Sequence, residues 1–448
     1  MRQRVLTATQ FLEEHDLVTP ETGTLSGHLL RPFLDLGGPG GPVNAKAAAH
    51  VGLCLTGPEP DGAGWIAPQG NTKRSLRTAL IRETGLASYD VTWPADLPEA
   101  VRSPHWQALC EAVASWEQLS SFRRYQVICV LYKLCLFRAA VALGDRLGPH
   151  DEFTALSELR VIGARSKLGE SVHDLVPRTL AVLERGTASP RVRLAVAVNL
   201  AIHYGRATRD REATVAWSDR VLAEAAAQHA DGSPRDLLMA SITLRAASFG
   251  PFVRGDHDAV AAMLKQAAEH ALDVTGAPGV PLVLADENRY AVLETITNAA
   301  VARGDRETAL AAATDLTGHD PLEPRAWLQL GAVHWDDGRT QSALTAYRTA
   351  AVLGAPFTGT AWYCTGRCHE ALGDLDQAAH AYANSVAAEP LGITALHRLH
   401  GVADRTGQRF LAGWARDRLH VLHHRLAGTA VPVSSPAPST TVRQGARP

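Results

Sequence analysis

Cys364, Cys368 and His369 are the residues of this 448-residue chain whose types and spacing come nearest to metal chemistry. Two thiols four residues apart share one face of a helix, and the adjacent imidazole could add a nitrogen ligand. Two histidine groups invite the same question, His397 with His400 and His420 with His423 and His424. Neither is completed by a cysteine or carboxylate at ligand spacing, and Arg416, Arg418 and Arg425 make the second a basic, polar helix end. The glycine cluster at 37–41 is not followed by the Gly-Lys-Ser/Thr of a phosphate loop. No nucleophile elbow or zinc-protease motif is found, and Glu13-Glu14 and Asp336-Asp337 read as solvated acids rather than catalytic pairs. The expectation is therefore no metal site and no cofactor, with the three residues at 364–369 acting as core filling. His105, Glu111, Arg123, Arg124 and Tyr125 are the remaining titratable candidates for an active site in the N-terminal half.

Composition limits what such residues could serve. Hydrophobic residues make up 46% of the chain, too many for a disordered protein, so most of it must bury a core. The formal net charge is −2, which gives no electrostatic case for nucleic acid or an anionic membrane. Residues 78–91 have the rhythm of a helix-turn-helix, yet Trp93-Pro94 and Pro98 stop the second helix where a DNA reader would continue. The N-terminus reaches Glu13, Glu14 and Asp16 before any long apolar run, unlike a secretory signal. The apolar stretch at 127–143 carries Lys133 and Arg138, a costly pair in lipid, and reads as a buried helix. Six cysteines without a Cys-x-x-Cys fit reduced thiols, and arginine far outnumbers lysine beside abundant alanine. A cytoplasmic protein of a GC-rich bacterium is the expectation.

The elements that would carry the candidate residues are helices. From 101 to 427 alanine and leucine dominate, strand-like alternation is rare, and breaks fall at Gly, Pro and Asp clusters near 186–190, 232–234, 250–251 and 276–281. Residues 1–100 differ, being loop-rich with short helical stretches at 6–15, 45–55 and 76–83, and residues 428–448 are rich in Pro, Ser, Thr and Ala and expected to be disordered. Gly304, Gly338, Gly373 and Gly407 recur at 34, 35 and 34 residues. A fixed period of that size is the signature of stacked helix pairs. Two units carry a full pattern around these glycines. One has Trp327, Leu330, Gly331, His334, Ala343, Tyr347 and Ala350. The next has Trp362, Thr365, Gly366, His369, Ala378, Tyr382, Ser385 and Pro390. The units on either side, from Leu293 and from Leu396, keep the small residues and lose the aromatics. Helical hairpins at 194–204 with 213–227, and a turn at Gly255, extend a divergent helical-repeat region over 101–290.

The paired pattern resembles the tetratricopeptide repeat, with histidine in place of the family tyrosine at His334 and His369. The resemblance implies an all-α, right-handed helical-hairpin solenoid over 291–427 and a binding groove lined by the first helix of each repeat. Carried over, the groove positions are Glu294 and Asn298, then Arg325, Leu328 and Trp335, then Tyr363, Arg367 and Glu370, then His397, Asp404 and Arg405. Two aromatics among charges of both signs suit a protein or peptide segment. The family's clamp for peptide C-termini is not implied, since Glu294 and Thr360 stand where two of its lysines would be. An adaptor or scaffold is the leading expectation. A biosynthetic or peptide-modifying enzyme with its active site in the N-terminal half, and a ligand-sensing regulator, stand as alternatives.

Overall fold

The computed structural model describes residues 91–428, apart from 186–187, 206–209, 229–231, 278–279, 281, 321–322 and 354–356, together with Leu55. The expected short helices at 6–15 and 76–83, the glycine cluster, the helix-turn-helix-like segment up to residue 90 and the tail after Gly428 lie outside the described residues, as does the stretch at 45–55 except for Leu55. Among the described residues there are helices and turns but no strand, so the described part of the chain is all-α. It divides into two compact units, Met1–Phe357 and Thr358–Pro448.

The first unit contains α1 (Pro104–Ala114), α2 (Ser121–Lys133), α3 (Phe137–Gly144), α4 (Glu152–Lys167), α5 (Val172–Glu184), α6 (Pro190–His203) and α7 (Arg211–Ala226). It continues with α8 (Pro234–Ala247), α9 (Phe249–Arg254), α10 (His257–Asp273), α11 (Leu282–Arg303), α12 (Arg306–His319), α13 (Pro324–Asp336) and α14 (Thr340–Leu353). Local chemistry sets these starts. Ser103, Ser120, Asp151, Ser189, Asp210 and Ser233 each accept a backbone N–H of the first turn. Pro104, Pro190 and Pro234 follow three of them, where no amide hydrogen is needed. The core of the N-terminal helices gathers Trp106, Leu109, Trp116, Ile128 and Leu131, all at most 1% exposed.

Two breaks differ from the sequence reading. The apolar run at 127–143 is two helices, because Cys135 takes a left-handed conformation (φ 61°) and the Leu136 amide closes back on the Leu131 carbonyl at 2.8 Å. No described helix is long and apolar enough to cross a membrane. The break expected at Gly250-Pro251 falls earlier, at Ser248, whose hydroxyl donates to the Arg245 carbonyl. Pro251 then sits in the first turn of α9, where its missing N–H costs nothing.

The second unit holds α15 (Thr358–Leu372), α16 (Leu375–Ala388), α17 (Ile393–Arg405) and α18 (Arg409–Gly428). Its core is Tyr382, Leu396, Leu399, Val402 and Ala415 with the alanines of α16. The four periodic glycines all adopt positive φ, between 73° and 86°, which a side chain would resist. After each, the next residue's amide reaches back to a carbonyl five residues earlier, as Asp374 does to His369 at 2.9 Å.

The small residues inside the first helices fix how closely each hairpin closes. A methyl group at Gly366 would stand 2.6 Å from the Tyr382 ring, and one at Gly331 would stand 2.6 Å from the Tyr347 ring. Trp327 is 1% exposed, whereas Trp362 is half-buried.

Candidate functional site

In the first unit the groove positions sit on α11 and α13, neighbouring first helices. Arg325 of α13 reaches across to the buried Glu294 of α11, Nη2 to Oε1 at 2.7 Å. One helical turn further on, the Gln329 amide donates to Asn298 Oδ1 at 3.3 Å. Leu328 and Trp335 are half-buried on the same helix. The Glu294 carboxylate thus joins two helices rather than standing open. Tyr290 lies buried nearby, and burial first, then Glu323 and Glu294, raise its hydroxyl well above the ordinary value.

In the second unit Glu370 of α15 is the hub. Its carboxylate takes Arg405 Nη1 at 3.1 Å and Arg398 Nη1 at 3.4 Å, both from α17, and accepts the Tyr382 hydroxyl at 2.9 Å. Burial and the bond to this carboxylate raise the Tyr382 hydroxyl strongly, so it remains a donor. Burial works against the Arg398 charge, but Glu370 and Tyr382 outweigh it and raise its pKa. The Tyr363 ring lies tilted by 45° against Tyr382, centroids 5.8 Å apart, and its hydroxyl accepts from Arg398. The two guanidiniums remain 49% and 55% exposed, held in place yet open to a ligand. Arg367 is half-buried, and His397 and Asp404 are exposed on α17. His397 faces His423 with ring centroids 6.0 Å apart.

Two features of these faces were missed from the sequence. Arg398 lies one heptad before Arg405 on α17, and that spacing was the available signal. The other is a buried ion pair, Lys133 Nζ to Glu287 Oε2 at 2.5 Å, with the side chains 3% and 1% exposed. It joins α2 to α11 across 154 residues. Glu287 is one heptad before Glu294, so α2 covers the early part of that face of α11. Beside it, His319 approaches Asp286 Oδ1 at 3.0 Å.

The remaining candidates behave otherwise. Cys368 is fully buried, and burial, with Cys364 beside it, pushes its thiol up to about 12. His369 is 12% exposed, 3.7 Å from Asp374. Among the described residues no group of three or more His, Cys, Asp or Glu side chains is placed to hold a metal ion. Among the five titratable candidates of the N-terminal helices, Tyr125 is buried beside Cys129 and Arg160, and His105 is half-buried in α1. Arg124 donates to the carbonyls of Trp116, Leu147 and Glu117, Arg123 donates to Gln126, and Gln107 donates to Glu111. A cavity of about 640 Å³ opens at the turn edge of α11, α12 and α13, lined by Gly304, Arg306, Leu310, His334 and Asp336, with Asp337.

Helical hairpins closed by glycine turns, with small residues under aromatic rings and first helices tied to one another by ion pairs, define the class: a helical-repeat protein. The chain carries tetratricopeptide repeats, its residues 297–356 and 333–391 matching that family's model. No curated protein matches the chain. Among solved structures, it is similar to MamA (residues 41 to the end) from Desulfovibrio magneticus RS-1, at 19% identity over 42% of this chain and 96% of that one, TM-score 0.33. YrrB, described as a tetratricopeptide-repeat protein with an unusual peptide-binding site, aligns at 15% identity over 49% and 96%, TM-score 0.31. A Rap protein complexed with competence and sporulation factor aligns at 12% identity over 72% and 99%, TM-score 0.40.

Proposed function

We propose that this protein is a cytoplasmic bacterial adaptor or scaffold that binds a protein or peptide segment on the first helices of its repeats. In this reading residues 101–290 are a divergent helical-repeat region and 291–427 are the repeats that carry the partner. The observation that supports it most is the Glu370 hub. One carboxylate orients two half-exposed arginines beside Tyr363, with Arg367 on the same helix. Two guanidiniums held by one carboxylate stand in a pre-ordered arrangement, which lowers the entropic cost of binding an acidic side chain. The matching segment carries an acidic side chain next to an aromatic or large aliphatic one. In the first unit, Arg325, Leu328 and Trp335 of α13 offer a separate, less charged set.

The test is to pan a random 12-residue peptide display library on the full chain. Selected peptides should be enriched in Asp or Glu beside an apolar residue. Their affinity should fall at least tenfold for Arg398→Glu with Arg405→Glu, and should also fall for Trp335→Ala with Arg367→Glu. If selected peptides bind both double variants as well as the parent, the first-helix face is not the binding surface.

A further inference from the structure

The last helix, α18, has two outer faces of opposite character. Aligning the repeats on Gly338, Gly373 and Gly407 places Phe410, Trp414 and Val421 level with Gln341, Thr345 and Val352 of α14, and with Asp376, His380 and Ala387 of α16. The α16 residues are exposed to solvent, as is Gln341. Polar side chains at the first two positions are thus the rule in the two full repeats. In α18 those two positions are aromatic. Phe410 is 88% exposed, Trp414 44% and Val421 42%.

The position of α18 as the last described helix does not account for this. The α16 residues that share a core with α17 and α18 include Leu375, Ala379, Tyr382 and Val386. Their counterparts in α18 are Arg409, Gly413, Arg416 and His420, so the surface that would receive a further repeat is already polar. Meanwhile Ala412, Ala415, Leu419 and Leu422 bury the opposite side of the helix. Phe410, Trp414, Asp417 and Val421 then form a separate outward row at spacings of four, three and four. That is the spacing of a seam on which another helix packs.

We infer that this row docks an amphipathic helix with acidic flanks from a partner protein. Charge decides among the possible occupants. The helix Arg409–Gly428 contains four arginines and one acid, Asp417. A second copy of this chain would bring basic flanks against basic flanks. A lipid surface would have to take the Asp417 carboxylate, which lies in the middle of the row and is 76% exposed, into its apolar layer. A helix bearing glutamates on its flanks satisfies the arginines, and one lysine in its seam joins Arg416, whose Nε already lies 3.5 Å from Asp417 Oδ1, in balancing that carboxylate. This surface is distinct from the first-helix face and does not depend on it.

The experiment uses the full chain and a labelled synthetic helix with leucines at spacings of three and four, glutamates on both flanks and one seam lysine. A second peptide carries lysines in place of the glutamates. Fluorescence anisotropy should show the acidic peptide binding at least tenfold tighter than the basic one. Its affinity should weaken between low and high salt, and should drop at least tenfold in Phe410→Glu with Trp414→Glu. That double variant changes exposed residues only, and an unaltered thermal midpoint confirms its fold. A parallel Asp376→Ala variant should leave binding unchanged. Equal binding of both peptides, or undiminished binding by the double variant, overturns the inference. So does a dimer in light scattering that the double variant dissolves, or Phe410-dependent binding to vesicles of phosphatidylcholine with phosphatidylserine.

Discussion

Adding one methyl group at Gly366 puts the repeat geometry to a quantitative test. In an open helix, Gly→Ala is stabilising by about 1 kcal/mol, since the chain gives up less freedom on folding. At Gly366 the new carbon would stand 2.6 Å from Tyr382 Cε1 and 2.7 Å from Cδ1, against an ordinary contact of about 3.5–4.0 Å. The ring must therefore move by roughly 1 Å. It has little room, being completely buried with its hydroxyl tied to Glu370 at 2.9 Å. Overpacking of this kind costs about 1–3 kcal/mol, which cancels or exceeds the helix gain. Urea denaturation followed by circular dichroism should show Gly366→Ala neutral to destabilised by about 2 kcal/mol. The same change in a Tyr382→Leu background should stabilise by up to about 1 kcal/mol, because the obstacle is gone. The difference between backgrounds isolates the clash, with an expected coupling of about 1–3 kcal/mol. Gly401→Ala supplies the control, since nothing lies within 4 Å of a methyl group there, and it should be stabilising. A coupling below about 0.5 kcal/mol would refute the close approach of α15 and α16 on which the hairpin rests.

Other consequences follow from the same contacts. Lys133→Met leaves Glu287 buried without its cation and should cost about 3–5 kcal/mol, whereas Lys133→Met with Glu287→Leu should recover most of the loss in chemical denaturation. Burial, then Arg339, holds the His334 imidazole below its ordinary 6.5. The unfolded chain takes up that proton first, so this contribution to stability is intact above pH ~6.5 and is lost as pH falls through the lower folded value. An NMR titration should place the His334 midpoint below 6.5, and a midpoint above it contradicts the burial argument. At pH 8, N-ethylmaleimide should modify the half-buried Cys364 well before Cys368, whose thiol is pushed up to about 12 and fully buried; mass spectrometry reads the order.

The hairpins were legible in the sequence because their physics is local. A turn glycine and a small residue packed against the second helix each leave a mark at fixed offset, and Gly373 and Gly366 with Tyr382 appear where the pattern put them. The break at Cys135 left no such mark, since it interrupts an apolar run without glycine or proline. Nor could spacing reveal that Lys133 meets Glu287, because the two are 154 residues apart and belong to no common repeat. On the first-helix faces, residue positions were readable but their partners were not. Glu294 and Glu370 were placed as separate groove residues, and the structure spends both on arginines from the following first helix. Arg398 was passed over because His397 beside it occupied the expected groove position.

The central claim, that partners lie along the first helices, is tested most directly by photo-crosslinking. A panned acidic peptide carrying benzoylphenylalanine is bound to the full chain, irradiated, and its attachment sites are mapped by mass spectrometry. The account predicts adducts on α15 and α17 around Tyr363, Arg367, Arg398 and Arg405. Adducts confined to the second helices, α14 and α16, would contradict it.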